Sequence, residues 1–373
     1  MRENIQFSGK EFDSIARDVQ KLSQFLTRGR EDLPAAYLKD PASRNAYLHY
    51  FLPANRAKVH LPLTELGLHP KGFFEREQLR VLDIGTGPGT AVLGILDHFA
   101  QRGQGAKLSF TAVDPIAENL ALLESLYHAH PASRAADGLR VLKADIERSP
   151  DLPAGTYELI VLSNVLNELF AGREDRIERR IVLVDAIIRK ALAADGACII
   201  IEPALRETSR DLLMLREGLR ERGMTVYSPC LHAGRCPALE NPRDWCHEDV
   251  PWDPPEIVQE IDKRIGLRKD SLKFSYLVLR KDGRSLADGF GEDAFRVVSE
   301  PLVSKGKLEL YLCGSGGRKL AMRQDKDRTA ENDAFSALRR GMIVRCAGIV
   351  NEEKRYRVTK ETNVLASRTI KAG

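Results

Sequence analysis

The sequence predicts an α/β fold: a parallel sheet with helices on both faces, preceded by a helical region and followed by a small β-rich one. Three observations predict it. Between residue 79 and about residue 204, short apolar runs alternate with segments of helical periodicity, the pattern that right-handed crossovers onto a parallel sheet produce. A distinctive residue closes each run in turn: Gly85, Asp114, Asp145, Asn164 and Glu202. Beyond residue 290 the chain breaks into short strand-like runs separated by glycine and charged turns.

Residues 1–77 are expected to be helical. Ile15, Val19, Leu22, Phe25 and Leu26 recur at helical spacing over 12–28. A helix over 44–52 carries Tyr47, Tyr50 and Phe51 and stops at a turn marked by Pro53; a further helical stretch over 55–66 contains Pro62. These aromatics lie beside Arg44, Arg56 and Lys58, yet aromatics at helical spacing are more often core than a nucleic-acid face. The organising stretch follows at 80–100, RVLDIGTGPGTAVLGILDHFA. Val81, Leu82 and Ile84 make a strand, residues 85–89 a tight glycine loop, and 90–99 a helix. Such a loop lets a ligand approach backbone that a Cβ would block. Then come a strand over 108–113 ending at Asp114-Pro115, a helix over 116–128, a strand over 139–143 ending at Ala144-Asp145, and a strand over 157–163 ending at Asn164. A helix over 177–192 leads to a strand over 197–201 ending at Glu202-Pro203, and 225–228 and 273–279 are the candidate sixth and seventh strands.

Composition limits the function classes. The chain has 373 residues, enough for two or three domains, with 43% hydrophobic and 29% charged residues, as in ordinary soluble globular proteins. No apolar run approaches the ~20 residues of a membrane span. The first residues, MRENIQFSGKEFDS, do not resemble a secretory signal, so a reducing cytosolic or organelle-matrix compartment is expected. The net charge of +4 is uneven: residues 273–373 hold 21 Lys and Arg against 13 Asp and Glu, a net +8, which leaves −4 for residues 1–272. An acidic partner such as RNA accounts for this, and so does a solvated basic surface.

In a doubly wound sheet ligands sit at the carboxyl ends of the strands, where the strand-closing residues fall. Asp114 is placed to accept hydrogen bonds from a ribose diol, Asp145 from an adenine amino group, and Asn164 where a reacting group would project. Each alone is equally well a turn or cap residue; their recurrence at one end of the sheet favours a site.

The six cysteines divide into two kinds. Cys198 in ACIII and Cys346 in IVRCAGIV read as buried core thiols. Cys230, Cys236 and Cys246 cluster in a proline- and glycine-rich insertion at 229–272, and Cys313 follows in LYLCGSGG. A segment with so little core would benefit from a metal staple. Four thiolates suit tetrahedral Zn²⁺ or an iron–sulfur cluster on ligand count. The spacing lacks the C-x₂₋₄-C knuckle usual for zinc, which slightly favours a cluster; disulfides are disfavoured by the compartment. His232 and His247 are substitute ligands. The dipeptide Pro229-Cys230 is too short to identify a nucleophile.

DIGTGPGT, VDP, KAD and LSNVLNEL, taken in order, resemble the motifs of class I S-adenosylmethionine-dependent methyltransferases. The glycines run G-x-G-x-G rather than the G-x-G-x-x-G of NAD-binding Rossmann proteins. The resemblance implies a Rossmann-like sheet of seven strands with the last antiparallel, and a class I methyltransferase domain over 78–281. It implies S-adenosylmethionine held along the loop by Asp83, Gly85, Thr86, Gly87 and Gly89, with Asp114 on the ribose, Asp145 near the adenine, and Pro115 and Asn164 among the cofactor-binding residues. The strand-four motif Ser163-Asn164-Val165-Leu166-Asn167-Glu168 lacks the proline pair and aromatic of enzymes that methylate base amines, so Asn164 is a catalytic candidate only.

A narrower resemblance rests on Pro229-Cys230, Cys236-Pro237, Asp244-Trp245-Cys246-His247, residues 273–277 and Cys313. It is to the methyltransferase-like proteins of the mitochondrial small ribosomal subunit and their bacterial relatives, over roughly residues 40–320. It implies a [4Fe–4S] cluster on Cys230, Cys236, Cys246 and Cys313, binding to small-subunit rRNA or its precursor, and a role in subunit assembly with or without methyl transfer. The compartment would be cytoplasmic, or the mitochondrial matrix in a eukaryote. The free protein is expected to be monomeric and not membrane-bound.

Residues 290–373 suggest a small barrel, with strands near 295–298, 307–312, 319–323, 342–350 and 356–359. Arg318, Lys319, Arg323, Lys326, Arg328, Arg339, Arg340 and Arg345 crowd it, and Phe295, Tyr311, Phe335 and Tyr356 are its aromatics. Basic side chains along an oligonucleotide backbone would suit an RNA partner. Three readings follow: an S-adenosylmethionine- and cluster-containing rRNA methyltransferase, a non-enzymatic ribosome assembly factor on the same fold, and a small-molecule methyltransferase with structural zinc, which has no need of the basic region.

Overall fold

The computed structural model describes residues 9–28, 37–103, 106–148 and 152–366. The polar N-terminal octet MRENIQFS and the chain end beyond residue 366, included in the readings of 1–77 and 290–373, lie outside the described residues.

The N-terminal elements are helical: α1 (Gly9–Arg28), α2 (Pro41–Ala46), a π-helical turn (Tyr47–Phe51), α3 (Leu52–Lys58) and α4 (His60–Leu66). Two details differ from expectation. Pro53 marks no turn; it sits in the first turn of α3, where a missing N–H costs nothing. The stretch over 55–66 is two helices hinged at Val59, which places Pro62 in the first turn of α4 rather than in a helix interior. Tyr47 and Tyr50 are buried, as the core reading requires.

The first sheet contains β1 (Gln78–Ile84), β2 (Lys107–Asp114), β3 (Gly138–Lys143), β4 (Tyr157–Ser163), β5 (Leu192–Pro203), β6 (Thr225–Ser228), β7 (Glu248–Pro251) and β8 (Ser271–Arg280). Its order is β3-β2-β1-β4-β5-β8-β6, with β1 to β5 parallel and β8 antiparallel to both β5 and β6. This is the expected doubly wound sheet with an antiparallel strand, but with eight strands among the described residues, not seven. The extra one, β7, comes from the cysteine-rich insertion. At ten residues, β8 is long enough to carry β6 and β7 end to end on one edge, β6 against Val278–Arg280 and β7 against residues 271–274.

Helices α5 (Thr90–Arg102), α6 (Ala117–Ala129), α7 (Arg176–Ala191), α8 (Arg206–Glu221) and α9 (Glu256–Ile265) cover the sheet; α8 was not anticipated. Side chains of successive strand residues alternate between faces. Val81, Leu159, Ile199 and Val278 enter one core with α1 to α6, while Leu82, Ile160, Cys198, Ile200 and Leu279 enter another with α7 and α8. A sheet buried on both faces explains why its strands read as unbroken apolar runs.

The C-terminal strands are β9 (Ala294–Val297), β10 (Leu302–Ser304), β11 (Lys307–Gly314), β12 (Gly317–Gln324), β13 (Ile343–Ala347), β14 (Val350–Asn351), β15 (Arg355–Val358) and β16 (Asn363–Ala366). Their hydrogen-bonded path β14-β15-β12-β11-β9-β13-β16, with β10 on β11, does not close among the described residues, so the barrel expectation is not met. Phe295, Phe335 and Tyr356 fill this sheet's own core, and Arg318 lies 4.9 Å over the Tyr311 ring. No row of aromatics is left for stacking bases. The basic residues divide: Arg323 is buried on Asn332 and Ser336 and the half-buried Arg340 donates to the His247 and Val298 carbonyls, whereas Lys326, Arg339 and the ion-paired Arg328 and Arg345 are exposed. No helix among the described residues is long and apolar enough to cross a membrane.

Candidate functional site: a strand-end cleft and a four-cysteine cavity

The first β-strand drops into the glycine loop because its residues occupy the left-handed region: Gly85 at φ 67°, Gly87 at 54° and Gly89 at 87°. A Cβ at Gly85 would come within 2.3 Å of Val165, whereas one at Gly87 would meet nothing within 4 Å. Gly85 therefore serves packing, and Gly87 leaves backbone open to a ligand. Gly89 precedes α5, against Leu123.

The loop faces a cleft of ≈ 470 Å³ at the carboxyl ends of the strands. Gly85, Thr86, Gly87, Asp114, Pro115, Asp145 and Asn164 all line it. Asp83 and Gly89 do not. Asp83 is buried beneath the loop, accepting a hydrogen bond from the Thr86 hydroxyl at 2.6 Å, and burial pushes its carboxyl up to about 7. It shapes the loop from below.

Asp114 ties the loop to the second strand. Its Oδ2 accepts from Gly87 N (2.9 Å), and Oδ1 accepts from Ile116 N (2.9 Å) and Asn119 Nδ2 (3.1 Å). Burial raises its pKa against those hydrogen bonds. One lone pair on Oδ2 remains able to accept a further hydrogen bond. Asp145 performs the turn role that strand-end aspartates often have: Oδ1 accepts from Glu147 N at 3.0 Å, and Oδ2 lies 3.4 Å from Arg148. Asn164 has φ 57°, a conformation seldom taken outside glycine, with its backbone N–H on the Ile201 carbonyl at 2.8 Å and its side-chain amide on Ser163 Oγ at 3.3 Å. Glu202, the last of the strand-end residues, does not line the cleft. It is buried and accepts from Leu166 N at 3.0 Å and from the Asn167 amide, which fixes the loop after β4.

The opposite wall was not legible in the sequence. Tyr37, Leu38, Tyr47, Phe51, Asn55 and Lys58 from the N-terminal helices, with Lys269, complete the cleft. The Tyr47 hydroxyl sits 3.2 Å from Thr90 Oγ1, fastening this wall to the start of α5. Aromatics spaced as helical core gave no sign that one edge of that core would face a ligand.

A second cavity, of ≈ 50 Å³, lies between α8, the insertion, β8 and the β11–β12 hairpin, and Cys230, Cys236, Cys246 and Cys313 all line it. Cys313 reaches it because the hairpin folds back with Cys313 paired to Arg318, whose guanidinium donates to Asp244 at 3.1 Å. Val250, Trp252, Val258 and Ile261 anchor the insertion in the main core, and arginines tie down its loops. Arg210 donates to the Ala238, Asn241 and Asp244 carbonyls, Arg216 to those of His232 and Gly234, and Arg296 to that of Pro229. None of these arginines was singled out from the sequence; their partners are carbonyls that no motif records.

Burial pushes the Cys236 thiol up to about 11 and the Cys246 thiol up to about 12, and raises Cys313 in the same direction, each reinforced by the neighbouring cysteines. His232 Nε2 and His247 Nδ1, on residues lining the same cavity, are buried without a hydrogen-bond partner. The donor set fits a thiophilic metal centre in its chemistry: four sulfurs whose mutual repulsion as thiolates a bound cation would relieve. No group of three His, Cys, Asp or Glu among the described residues is arranged to hold a metal ion, so the expected metal site is not shown. Cys198 and Cys346 are buried core thiols, as expected, and burial pushes both up to about 12.

A family model described as Rsm22, mitochondrial small ribosomal subunit, matches residues 41–341. Among solved structures, an S-adenosylmethionine-dependent methyltransferase from Methanosarcina mazei is similar over 56% of this chain and 94% of its own, at 12% identity and TM-score 0.35. An uncharacterised protein from Burkholderia thailandensis is similar over 77% and 98%, at 13% identity and TM-score 0.41. A Listeria monocytogenes protein described as a candidate class I S-adenosylmethionine-dependent methyltransferase is similar over 72% and 78%, at 10% identity and TM-score 0.38. No curated protein matches the sequence significantly. The fold assignment rests on the strand order rather than on these likenesses. Because the family match runs from α2 through the glycine loop and all four clustered cysteines to the edge of β13, the protein belongs to the Rsm22 family of the mitochondrial small ribosomal subunit.

Proposed function

We propose that the protein binds S-adenosylmethionine in the strand-end cleft and acts on small-subunit rRNA or its precursor particle as an rRNA methyltransferase. The observation that carries this reading is the gathering of Gly85, Thr86, Gly87, Asp114, Pro115, Asp145 and Asn164 around one cleft of ≈ 470 Å³. Gly87 supplies backbone that the cofactor can approach, Asp114 Oδ2 takes a ribose hydroxyl, and Pro115 and Asp145 flank the adenine. The sulfonium is already activated, so holding the acceptor in line with the methyl supplies most of the rate. Asn164, held at the mouth of β4, is the residue that orients the acceptor. The compartment is that of the ribosomal subunit: cytoplasm, or mitochondrial matrix in a eukaryote.

Cys230, Cys236, Cys246 and Cys313 would hold a [4Fe–4S] cluster, with zinc as the competitor. Such a cluster would supply covalent bonds joining the insertion to the β11–β12 hairpin. Protein purified anaerobically should be brown with broad visible absorption and should lose it when Cys246 or Cys313 becomes serine; a colourless protein with stoichiometric zinc refutes the cluster.

A second reading, an assembly factor that binds without turnover, is favoured by the strand-four loop, where Val165 packs on Gly85 and no proline pair stands ready to clamp a base. Crosslinking and sequencing of bound RNA, with a methylation map in a deletion strain, separates the two. Loss of one methyl group near the crosslink supports methyl transfer; an unchanged map supports the assembly factor; no crosslink to small-subunit RNA refutes both.

A further inference from the structure

The charges on the cleft wall are divided. Asp114, Asp145, Glu147 and Glu168 line it from the strand ends and the loops that follow them, and Lys58 and Lys269 are the basic residues among those lining it. Lys58 ends α3, and its ammonium donates to a neutral amide oxygen, Asn55 Oδ1, at 2.7 Å. Lys269 lies between α9 and β8, with Nζ 4.4 Å over the Tyr50 ring and 5.3 Å over the Phe51 ring. Neither ammonium is in an ion pair among the described residues. The nearby acid Asp262 is already engaged: Oδ1 accepts from the Tyr50 hydroxyl at 2.6 Å, and Oδ2 accepts from the backbone N–H of Lys269 at 2.6 Å. Glu202 acts on Lys58 through its field while accepting from Leu166 and Asn167.

Two half-buried ammonium groups, close enough to repel each other and faced by amide oxygen and aromatic rings, are costly unless a counter-charge arrives. Burial pulls Lys58 down to about 7, with Lys269 adding to the effect, and pulls Lys269 down to about 8. A cationic sulfonium does not supply that counter-charge; an anionic group does.

We propose that Lys58 and Lys269 form an oxyanion subsite in the cleft, taking a phosphate or carboxylate group of a bound ligand. The proposal rests on the reading of the cleft as the cofactor and acceptor site. The two sources of such a group are the phosphodiester of an RNA acceptor and the carboxylate of the cofactor's own methionine moiety.

The test is calorimetry on the full chain, comparing the wild type with Lys58→Gln/Lys269→Gln and with the charge-preserving Lys58→Arg; thermal melts confirm that each variant folds. The probes are inorganic phosphate, S-adenosylhomocysteine, which carries the carboxylate, and methylthioadenosine, which lacks it. Phosphate affinity falling at least tenfold in the double variant and persisting in Lys58→Arg assigns the subsite to phosphate. S-adenosylhomocysteine weakening at least tenfold with methylthioadenosine unchanged assigns it to the cofactor carboxylate. Equal affinity of wild type and double variant for both phosphate and S-adenosylhomocysteine overturns the proposal. Failure of methylthioadenosine to bind the wild type counts against the cofactor reading instead, and the phosphate arm still reads the lysine pair.

Discussion

Gly85 and Gly87 are two residues apart, both in the left-handed region, yet alanine should have different effects at each. At Gly85 (φ 67°) the new Cβ adds left-handed strain of about 1–2 kcal/mol and meets Val165 Cγ2 at 2.3 Å and Cβ at 2.8 Å. Val165 is β-branched and sits beside Asn164, whose backbone is itself in the left-handed region, so it has little room to yield. Overpacking of this kind costs about 1–3 kcal/mol, which brings Gly85→Ala to about 2–5 kcal/mol of stability. At Gly87 (φ 54°) no atom lies within 4 Å, so Gly87→Ala loses only the strain, about 1–2 kcal/mol. Its methyl, however, stands in the cleft where the cofactor must approach. Urea unfolding should place Gly85→Ala well below Gly87→Ala, while calorimetry with S-adenosylhomocysteine should show Gly87→Ala binding at least about tenfold more weakly, or ~1.4 kcal/mol. Equal stability loss in the two variants, or unimpaired binding by Gly87→Ala, would refute the division between a packing glycine and an approach glycine.

Three further outcomes are expected. Glu65 and Arg296 form a buried ion pair at 2.7 Å, joined by the Tyr276 hydroxyl at 2.5 Å; Glu65→Ala should lower stability by about 3–5 kcal/mol by stranding the guanidinium, and Glu65→Leu/Arg296→Met should recover most of it in thermal melts. Asp83 has a folded-state pKa of about 7 against an ordinary 3.8, set first by burial and opposed by the Thr86 hydrogen bond. Its contribution is therefore fully present below pH ~4 and lost as pH rises through ~7, on the order of 4 kcal/mol at most, and Asp83→Asn should flatten the stability–pH curve in that window. Arg323→Gln should destabilise the protein by about 1–3 kcal/mol and leave the salt dependence of RNA binding unchanged, because Arg323 is buried on Asn332. Substituting the exposed Lys326 tests the converse, with no stability loss and a shallower salt slope.

Several strands were legible to the residue because apolar runs bounded by turn residues are local: Tyr157–Ser163 and Thr225–Ser228 fall where the pattern puts them. Helix α8 was less legible, since its buried face includes Asp211, Arg216 and Glu217, polar residues that break an apolar stripe. The candidate site divides similarly. One cleft wall belongs to the glycine loop and the strand ends, whose chemistry is written in adjacent residues. The other wall depends on how α3 and the segment before β8 settle against it, and no spacing along the chain records that.

By itself, then, the sequence determined the alternation of strands and helices from β1 to β5, the glycine loop and its acidic companions, and that Cys198 and Cys346 are core, because periodicity and turn chemistry act over a few residues. Only the tertiary structure decided that Cys313 enters the cavity with Cys230, Cys236 and Cys246, that β7 joins the sheet, and that Arg323 and Arg340 turn inward while Arg328, Arg339 and Arg345 stay exposed. It also decided that Lys58 and Lys269 share a cleft with Asp114. The physical reason is the same in each case. A buried charge or thiol takes its role from the groups packing brings to it, and those groups lie far away along the chain.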